Sequence, residues 1–135
     1  MNHVKNLLVV FILFFLFDLP FMIGINGKMY KSMFERINGV KQETWSTRTW
    51  IARTVAYLLM TAGLYFLVIL SGLKDKSDRD NVIIKGALLG AVVTGVYDMT
   101  SMATLPNFGT KEGLIDGTWG TFMYGLITGI CLRIL

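Results

Sequence analysis

Residues 4–25 read VKNLLVVFILFFLFDLPFMIGI, and this stretch decides the structural class of the protein. Lys5 and Asp18 are its only charged residues. A helix rises about 1.5 Å per residue, so a run of this length crosses the roughly 30 Å hydrocarbon core of a bilayer. The small residues of a signal-peptide cleavage site are missing, and Gly24-Ile25-Asn26-Gly27 is a poor substitute. We therefore expect a retained membrane helix.

Three more apolar segments follow the first one, at residues 51–73, 82–102 and 115–135. They predict an all-α fold, a four-helix transmembrane bundle that forms one integral membrane domain over residues 1–135. The charged turn between the second and third segments is short, which makes those two helices antiparallel neighbours. An even number of crossings puts both termini on one side of the membrane. Lys and Arg number six on that side and seven on the other, so the charges do not decide the orientation.

The composition agrees with a multi-pass membrane protein. Of the 135 residues, 53% are hydrophobic and 16% are charged, and the mean hydropathy is +0.55. The net charge is +4, and the Lys and Arg residues lie between the apolar runs. They form no basic stripe with interleaved aromatics, which argues against nucleic acid as a partner. The expected partners are the lipid bilayer and further copies of the chain. No cofactor is predicted, and the lone Cys131 is expected to pack or to face lipid.

The connection between the first and second segments has a helical pattern of its own. Met29, Met33 and Ile37 recur at one-turn spacing among charged residues, which predicts a short helix lying in the membrane interface. A polar loop fits this connection equally well. Just before the second segment, capping hydroxyls and interfacial aromatic side chains are expected from Trp45, Ser46, Thr47 and Trp50.

Two pairs of glycines have the spacing that allows helices to approach closely. Gly86 and Gly90 share one face of the third segment, and Gly125 and Gly129 share one face of the fourth. The predicted contact lies within the bundle or between two copies of the chain. Such pairs also arise by chance in glycine-rich membrane segments.

Three aspartates are the residues that most need an explanation, because an ionisable group inside a membrane is costly. Along their helices Asp18 and Asp98 lie about 21 Å and 24 Å from the termini's side, and Asp116 lies about 28 Å from it. These depths predict a polar pocket that opens on the side opposite the termini. The predicted polar or ion site contains Asp18, Tyr97, Asp98, Thr100, Thr104, Asp116 and Trp119. The alternative is that the aspartates only cap helices or join them by hydrogen bonds.

At four places the chain resembles a family of small membrane proteins known as domain of unknown function 2177. The corresponding segments here are Phe17 to Phe21 (FDLPF), Tyr57 to Leu64 (YLLMTAGL), Tyr97 to Leu105 (YDMTSMATL) and Asp116 to Gly120 (DGTWG). The resemblance covers most of the chain. It implies four helices and the three aspartates, and it implies no particular activity.

Two residues depart from the family's pattern. Phe21 stands where the family has Trp, and Ser101 stands where it has Asn. A role that needs the indole or the amide group is therefore in doubt in this chain.

Three functions fit the sequence. The leading hypothesis is a non-enzymatic membrane protein that binds or passes a small cation or protons at Asp18, Asp98 and Asp116. A second is a structural or scaffold protein of a cell or viral membrane. A third is a metal-dependent lipid-modifying enzyme with a divalent cation on Asp98 and Asp116. The sequence favours the enzyme least, because its one histidine, His3, is terminal and no nucleophile motif is present.

Overall fold

The computed structural model describes residues 2–39 and 47–135, apart from the side chains of Met22 and Ile25. Within these ranges the chain is helical except for short turns, which confirms the all-α prediction. The α-helices are α1 (His3–Pro20), α2 (Gly27–Asn38), α3 (Thr47–Leu64), α4 (Leu70–Lys74), α5 (Arg79–Thr104) and α6 (Thr110–Ile134). A π-helical turn (Tyr65–Ile69) joins α3 to α4 into one rod, and another (Phe21–Ile25) extends α1. The described residues thus form five helical rods. The predicted roles of Trp45 and Ser46 lie outside them.

Three of these rods are long and apolar enough to cross a membrane, judged by length and composition. They are α1, the α3–α4 rod (Thr47–Lys74) and α5 with the turn before it (Lys76–Thr104). The predicted four-helix transmembrane bundle is therefore not confirmed, because α6 is not among the three and α2 adds a further rod. The reason lies in the composition of α6, which has five glycines and four threonines. Ten of its residues are buried, against three in α1, so more of α6 packs on other helices, while Leu114 and Phe122 stay exposed on its outer face.

The closest helix pair is α5 with α6, and glycines line the contact. A methyl group added at Gly90 would lie 2.5 Å from the Gly120 carbonyl oxygen, and one added at Gly86 would collide with Thr128. Gly125 faces Ala87 across the same contact. Only hydrogen fits at Gly86 and Gly90, and a methyl group at Gly125 would be a tight contact, so the two backbones approach more closely than larger side chains would allow. We call this contact, formed by Gly86, Gly90, Gly120 and Gly125, the glycine seam.

The remaining core joins α1 and the α3–α4 rod to the same central helix. Phe14 of α1 packs edge-to-face on Tyr124 of α6, with ring centroids 5.0 Å apart. Cys131 is fully buried in this core. Large apolar side chains on the outer faces of the rods stay exposed, among them Leu59 and Leu67. An apolar exterior around a partly polar interior is the arrangement expected of helices in lipid.

The turn from α4 to α5 is short, and it brings α5 back along the α3–α4 rod. Asp75 closes the turn by accepting hydrogen bonds from the Ser77 hydroxyl at 2.6 Å and the Ser77 backbone N–H at 3.0 Å. These two bonds lower the pKa of the exposed Asp75 carboxyl group.

The connection after α1 forms a helix, α2, rather than a loop. Tyr30 and Met33 on its inner face are buried against Phe108, which lies in the turn between α5 and α6. Arg36 pairs with Glu112 of α6 at 3.2 Å, and the Asn107 side chain donates to the Arg36 carbonyl oxygen at 3.1 Å. The apolar face of α2 therefore packs largely on protein. It covers the end of the bundle opposite the termini.

Candidate functional site

Four charged side chains lie at about the same depth in the bundle. Arg53 is six residues after the start of α3, Asp98 is six before the end of α5, and Asp116 is six after the start of α6. Six residues correspond to about 9 Å along a helix. Asp18 is near the end of α1 at the same face. We call these four residues the aspartate layer.

Asp18 interacts with two side chains of α3. The Tyr57 hydroxyl donates to its Oδ2 atom at 2.5 Å, and Arg53 attracts its charge. Arg53 and Tyr57 are one helical turn apart on α3, so both reach the same neighbour. The Trp119 indole N–H faces the Asp18 carboxyl group, although it completes no hydrogen bond within the described residues.

Asp116 is held by the covering helix. The Tyr30 hydroxyl of α2 donates to its Oδ1 atom at 3.2 Å. Burial, and next the negative charge of Asp116, raise the pKa of Tyr30 above its usual range. The hydroxyl therefore keeps its proton and remains a donor to the carboxyl group.

Asp98 is the most deeply buried of the three aspartates, with 1% of its surface exposed. Neither of its carboxyl oxygens accepts a hydrogen bond from any described residue. Its neighbours are the Asp116 carboxyl group and the backbone of α6, where a methyl group added at Gly117 would lie 3.6 Å from its Oδ2 atom. Two carboxylates are both acceptors, so Asp98 and Asp116 hydrogen bond to each other only if one of them carries a proton.

A cleft of about 980 Å³ lies beside this layer, between α1, α3, α5 and α6. Four of the predicted site residues line it: Asp18, Tyr97, Asp116 and Trp119. Asp98 lies behind Asp116 and does not line it. The three aspartates are thus brought to one place, and two of them face the cleft.

Thr100 and Thr104 are not part of this arrangement. Both are exposed, and the Thr104 hydroxyl donates to the Thr100 carbonyl oxygen of its own helix at 2.8 Å. Residues two apart in a helix point in different directions, so Thr100 cannot share a face with Asp98.

Comparison with known proteins bears on this site. The family model described as "Predicted membrane protein (DUF2177)" matches residues 3–132. The chain belongs to this family. No curated protein and no solved structure matches it.

The family's motifs meet at the site. Phe21, in the first motif, stacks on Trp119, in the fourth, with ring centroids 4.3 Å apart and planes 9° from parallel. Tyr57 opens the second motif and binds Asp18 of the first.

Sequence reasoning missed three residues of the site: Tyr30, Arg53 and Tyr57. A signal for two of them was present, because an arginine inside an apolar helix needs a partner and Tyr57 is one turn away from it. Tyr30 had no such signal. Its contact with Asp116 depends on how α2 folds back over the bundle.

The chemistry available to the layer is that of protons and cations. Within residues 2–39 and 47–135, no group of three His, Cys, Asp or Glu side chains is placed to hold a metal ion. The predicted divalent site on Asp98 and Asp116 therefore has two carboxyl ligands and no third among these residues. Two adjacent carboxyl groups can still share a proton or bind a monovalent or organic cation.

Proposed function

We propose that this family member is a four-span membrane protein whose aspartate layer binds a proton and exchanges it for a small cation in the cleft. In this proposal α6 is the fourth span. Its 25 residues reach about 38 Å, longer than the roughly 30 Å hydrocarbon core. Its buried polar residues are tolerated because α5 and α1 pack against that side of the helix.

The observation that carries the proposal is the burial of Asp98 without a donor. A carboxylate that is 1% exposed and accepts no hydrogen bond from described residues is strongly destabilised as an anion. A proton or a cation at this position removes the cost. The adjacent carboxyl group of Asp116 provides a second oxygen atom that the proton or the cation can bind.

The charged residues around the layer determine how much positive charge Asp98 and Asp116 need. Arg53 offsets the charge of Asp18. Tyr30 is a neutral donor to Asp116, so Asp98 and Asp116 together have one negative charge even when they share a proton. The second positive charge is that of Arg48 or of a cation in the cleft, because Asp116 and Arg48 both line it. A cation that binds Asp116 tightly weakens the hold of the pair on its proton, which couples cation binding to proton release.

Infrared spectroscopy of the protein in lipid vesicles tests the proton directly. We expect the carbonyl stretching band of a buried protonated carboxylic acid at neutral pH, and its loss in Asp98→Asn. Asp80→Asn is the matched control, because Asp80 is an exposed residue at the start of the same helix. A wild-type spectrum without the band, or a band that persists in both Asp98→Asn and Asp116→Asn, would rule out the shared proton.

A structural role is the second candidate, and two hydrogen bonds favour it. Tyr57 ties α3 to Asp18 of α1, and Tyr30 ties α2 to Asp116 of α6. If these ties were the whole function, Asp98→Asn would leave proton uptake into dye-loaded vesicles unchanged. The exchange proposal expects proton uptake above that of empty vesicles in the wild type and its loss in Asp98→Asn.

A further inference from the structure

The cleft beside the aspartate layer is polar at one end and apolar along most of its length. The polar end contains Arg48, Arg53, Asp18 and Asp116. Further along, the wall is formed by Leu59, Met60, Leu67, Leu89, Val93 and Met123. A small inorganic cation needs no apolar wall of this extent, so the shape of the cleft indicates an amphipathic occupant.

The cleft opens sideways between the α3–α4 rod and α5. Leu59 and Leu67 line it and are 69% and 71% exposed, and Tyr97 across the opening is 60% exposed. Both rods are among those that can cross a membrane. An opening at this position faces the hydrocarbon region, so a molecule enters it from the bilayer rather than from water.

We infer that the cleft binds one membrane phospholipid with a zwitterionic headgroup, with one acyl chain along the apolar wall. The inference rests on the proposed cation site and identifies its cation as the ammonium group of the lipid. The headgroup lies at the aspartate layer, and the chain extends toward Leu67.

Charge complementarity selects the headgroup. Two arginines and two aspartates line the polar end, so this part of the wall has no net charge when all four are ionised. Arg48 and Arg53 suit a phosphate group, because guanidinium groups bind phosphate oxygens in pairs. Asp18 and Asp116 suit an ammonium group. Four aromatic side chains beside them add cation–π attraction: Tyr57, Tyr97, Trp119 and Tyr124.

The dimensions agree with one acyl chain. The volume of about 980 Å³ is at the upper end of the roughly 300–1,000 Å³ typical of ligand pockets. Arg53 and Leu67 are fourteen residues apart in one helical rod, which corresponds to about 21 Å. That distance exceeds half of a roughly 30 Å hydrocarbon core, the depth that one lipid chain spans.

Gly63 provides a way to fill the cleft without disturbing the helix contacts. It lies in the cleft wall, and a methyl group added there would meet nothing within 4 Å. Gly63→Phe therefore places a ring in the space assigned to the acyl chain. Gly95→Phe is the matched control, because Gly95 also has nothing within 4 Å and does not line the cleft.

Native mass spectrometry after extraction from nanodiscs of equal phosphatidylethanolamine and phosphatidylglycerol content tests the inference. We expect one phosphatidylethanolamine per chain in the wild type and in Gly95→Phe, and an affinity lower by about tenfold or more in Gly63→Phe. Arg48→Gln, at the exposed mouth, should also lower retention of this lipid while the protein stays monodisperse. Equal retention in Gly63→Phe and the wild type, a wild type that retains no lipid, or a preference for the anionic lipid would overturn the inference.

The infrared measurement separates this inference from the function on which it rests. If the lipid is not bound but the Asp98 band is present, the proton site stands and the occupant is wrong. If the lipid is bound but the band is absent in the wild type, the cleft stands and the shared proton is wrong.

Discussion

The glycine seam and the aspartate layer lie on the same two helices, α5 and α6, and are packed in opposite ways. Along the seam, Gly90 and Gly120 bring the two backbones together so closely that a methyl group does not fit. In the layer, Asp98 and Asp116 meet across the same helix pair, the buried oxygens of Asp98 accept no hydrogen bond from the described residues, and a cleft lies beside them. One part of the helix pair is dense and apolar, and the other is polar and open.

This difference shows how a small bundle can hold a costly polar group. Glycine contacts stabilise helix pairs in lipid through close van der Waals packing, which does not depend on burial from water. A tight seam fixes the relative position of α5 and α6 over several turns. Asp98 and Asp116 are then held next to each other although their charges repel. On this view the seam determines stability, and the layer determines binding.

The largest expected effect is the loss of the seam. Gly90→Leu puts a side chain 2.5 Å from the Gly120 carbonyl oxygen and 2.7 Å from Tyr124 Cβ, so the backbones must separate. We expect a loss of about 3 kcal/mol in the free energy of unfolding, measured by thermal denaturation in detergent. Gly95→Leu on the same helix meets nothing within 4 Å and should be neutral or stabilising, because leucine favours a helix more than glycine does. Equal melting temperatures for the two variants would contradict the role assigned to the seam.

A smaller effect is expected where the layer is held by hydrogen bonds. Tyr57→Phe removes the donor to Asp18 and leaves a carboxyl oxygen unpaired, at a cost of about 1–2 kcal/mol in unfolding free energy. Tyr124→Phe is the control, because its buried hydroxyl has no hydrogen-bond partner among the described residues. That change should be neutral or stabilising. If both variants lost the same free energy of unfolding, the hydrogen bond to Asp18 would not be what stabilises the protein at Tyr57.

These contrasts also show how far the sequence could predict the molecule. The apolar runs predict the positions of the long helices, because hydrophobic length is a local property. Hydrophobic length alone does not confirm α6 as a span, because its glycines and threonines lower its hydropathy and several of them pack on other helices. Its place at the centre depends on contacts from the whole bundle.

About as much of the site as of the fold could be predicted from the sequence. The depths of Asp18, Asp98 and Asp116 follow from counting residues along helices, so their common level could be predicted. The rotation of each helix could not be predicted from depth. Thr100 is therefore close to the level of the layer but on another face, and Thr104 lies about 9 Å beyond Asp98 at the end of α5. The donor from Tyr30 depends on the path of α2, which no local pattern specifies.

The smallest expected effect concerns the contact that holds α2 over the layer, the ion pair of Arg36 with Glu112. The Arg36 side chain is 49% exposed and that of Glu112 is 10% exposed, so solvent screens the pair from one side. Arg36→Ala, Glu112→Gln and their combination form a double-mutant cycle. We expect a coupling energy of about 0.5 kcal/mol in unfolding free energy at low salt.

The coupling should disappear in about 1 M salt, where the Debye length falls to roughly 3 Å. It is small for a second reason as well: Glu112 lies in the first turn of α6, where the helix dipole stabilises its negative charge without Arg36. Lys31→Ala, an exposed change on the same helix, serves as the control for net charge. A coupling above about 2 kcal/mol that persists in high salt would mean that α2 is fastened to α6 by a desolvated ion pair. The covering helix would then be as firmly held as the seam, and the contrast between the two regions would not extend to it.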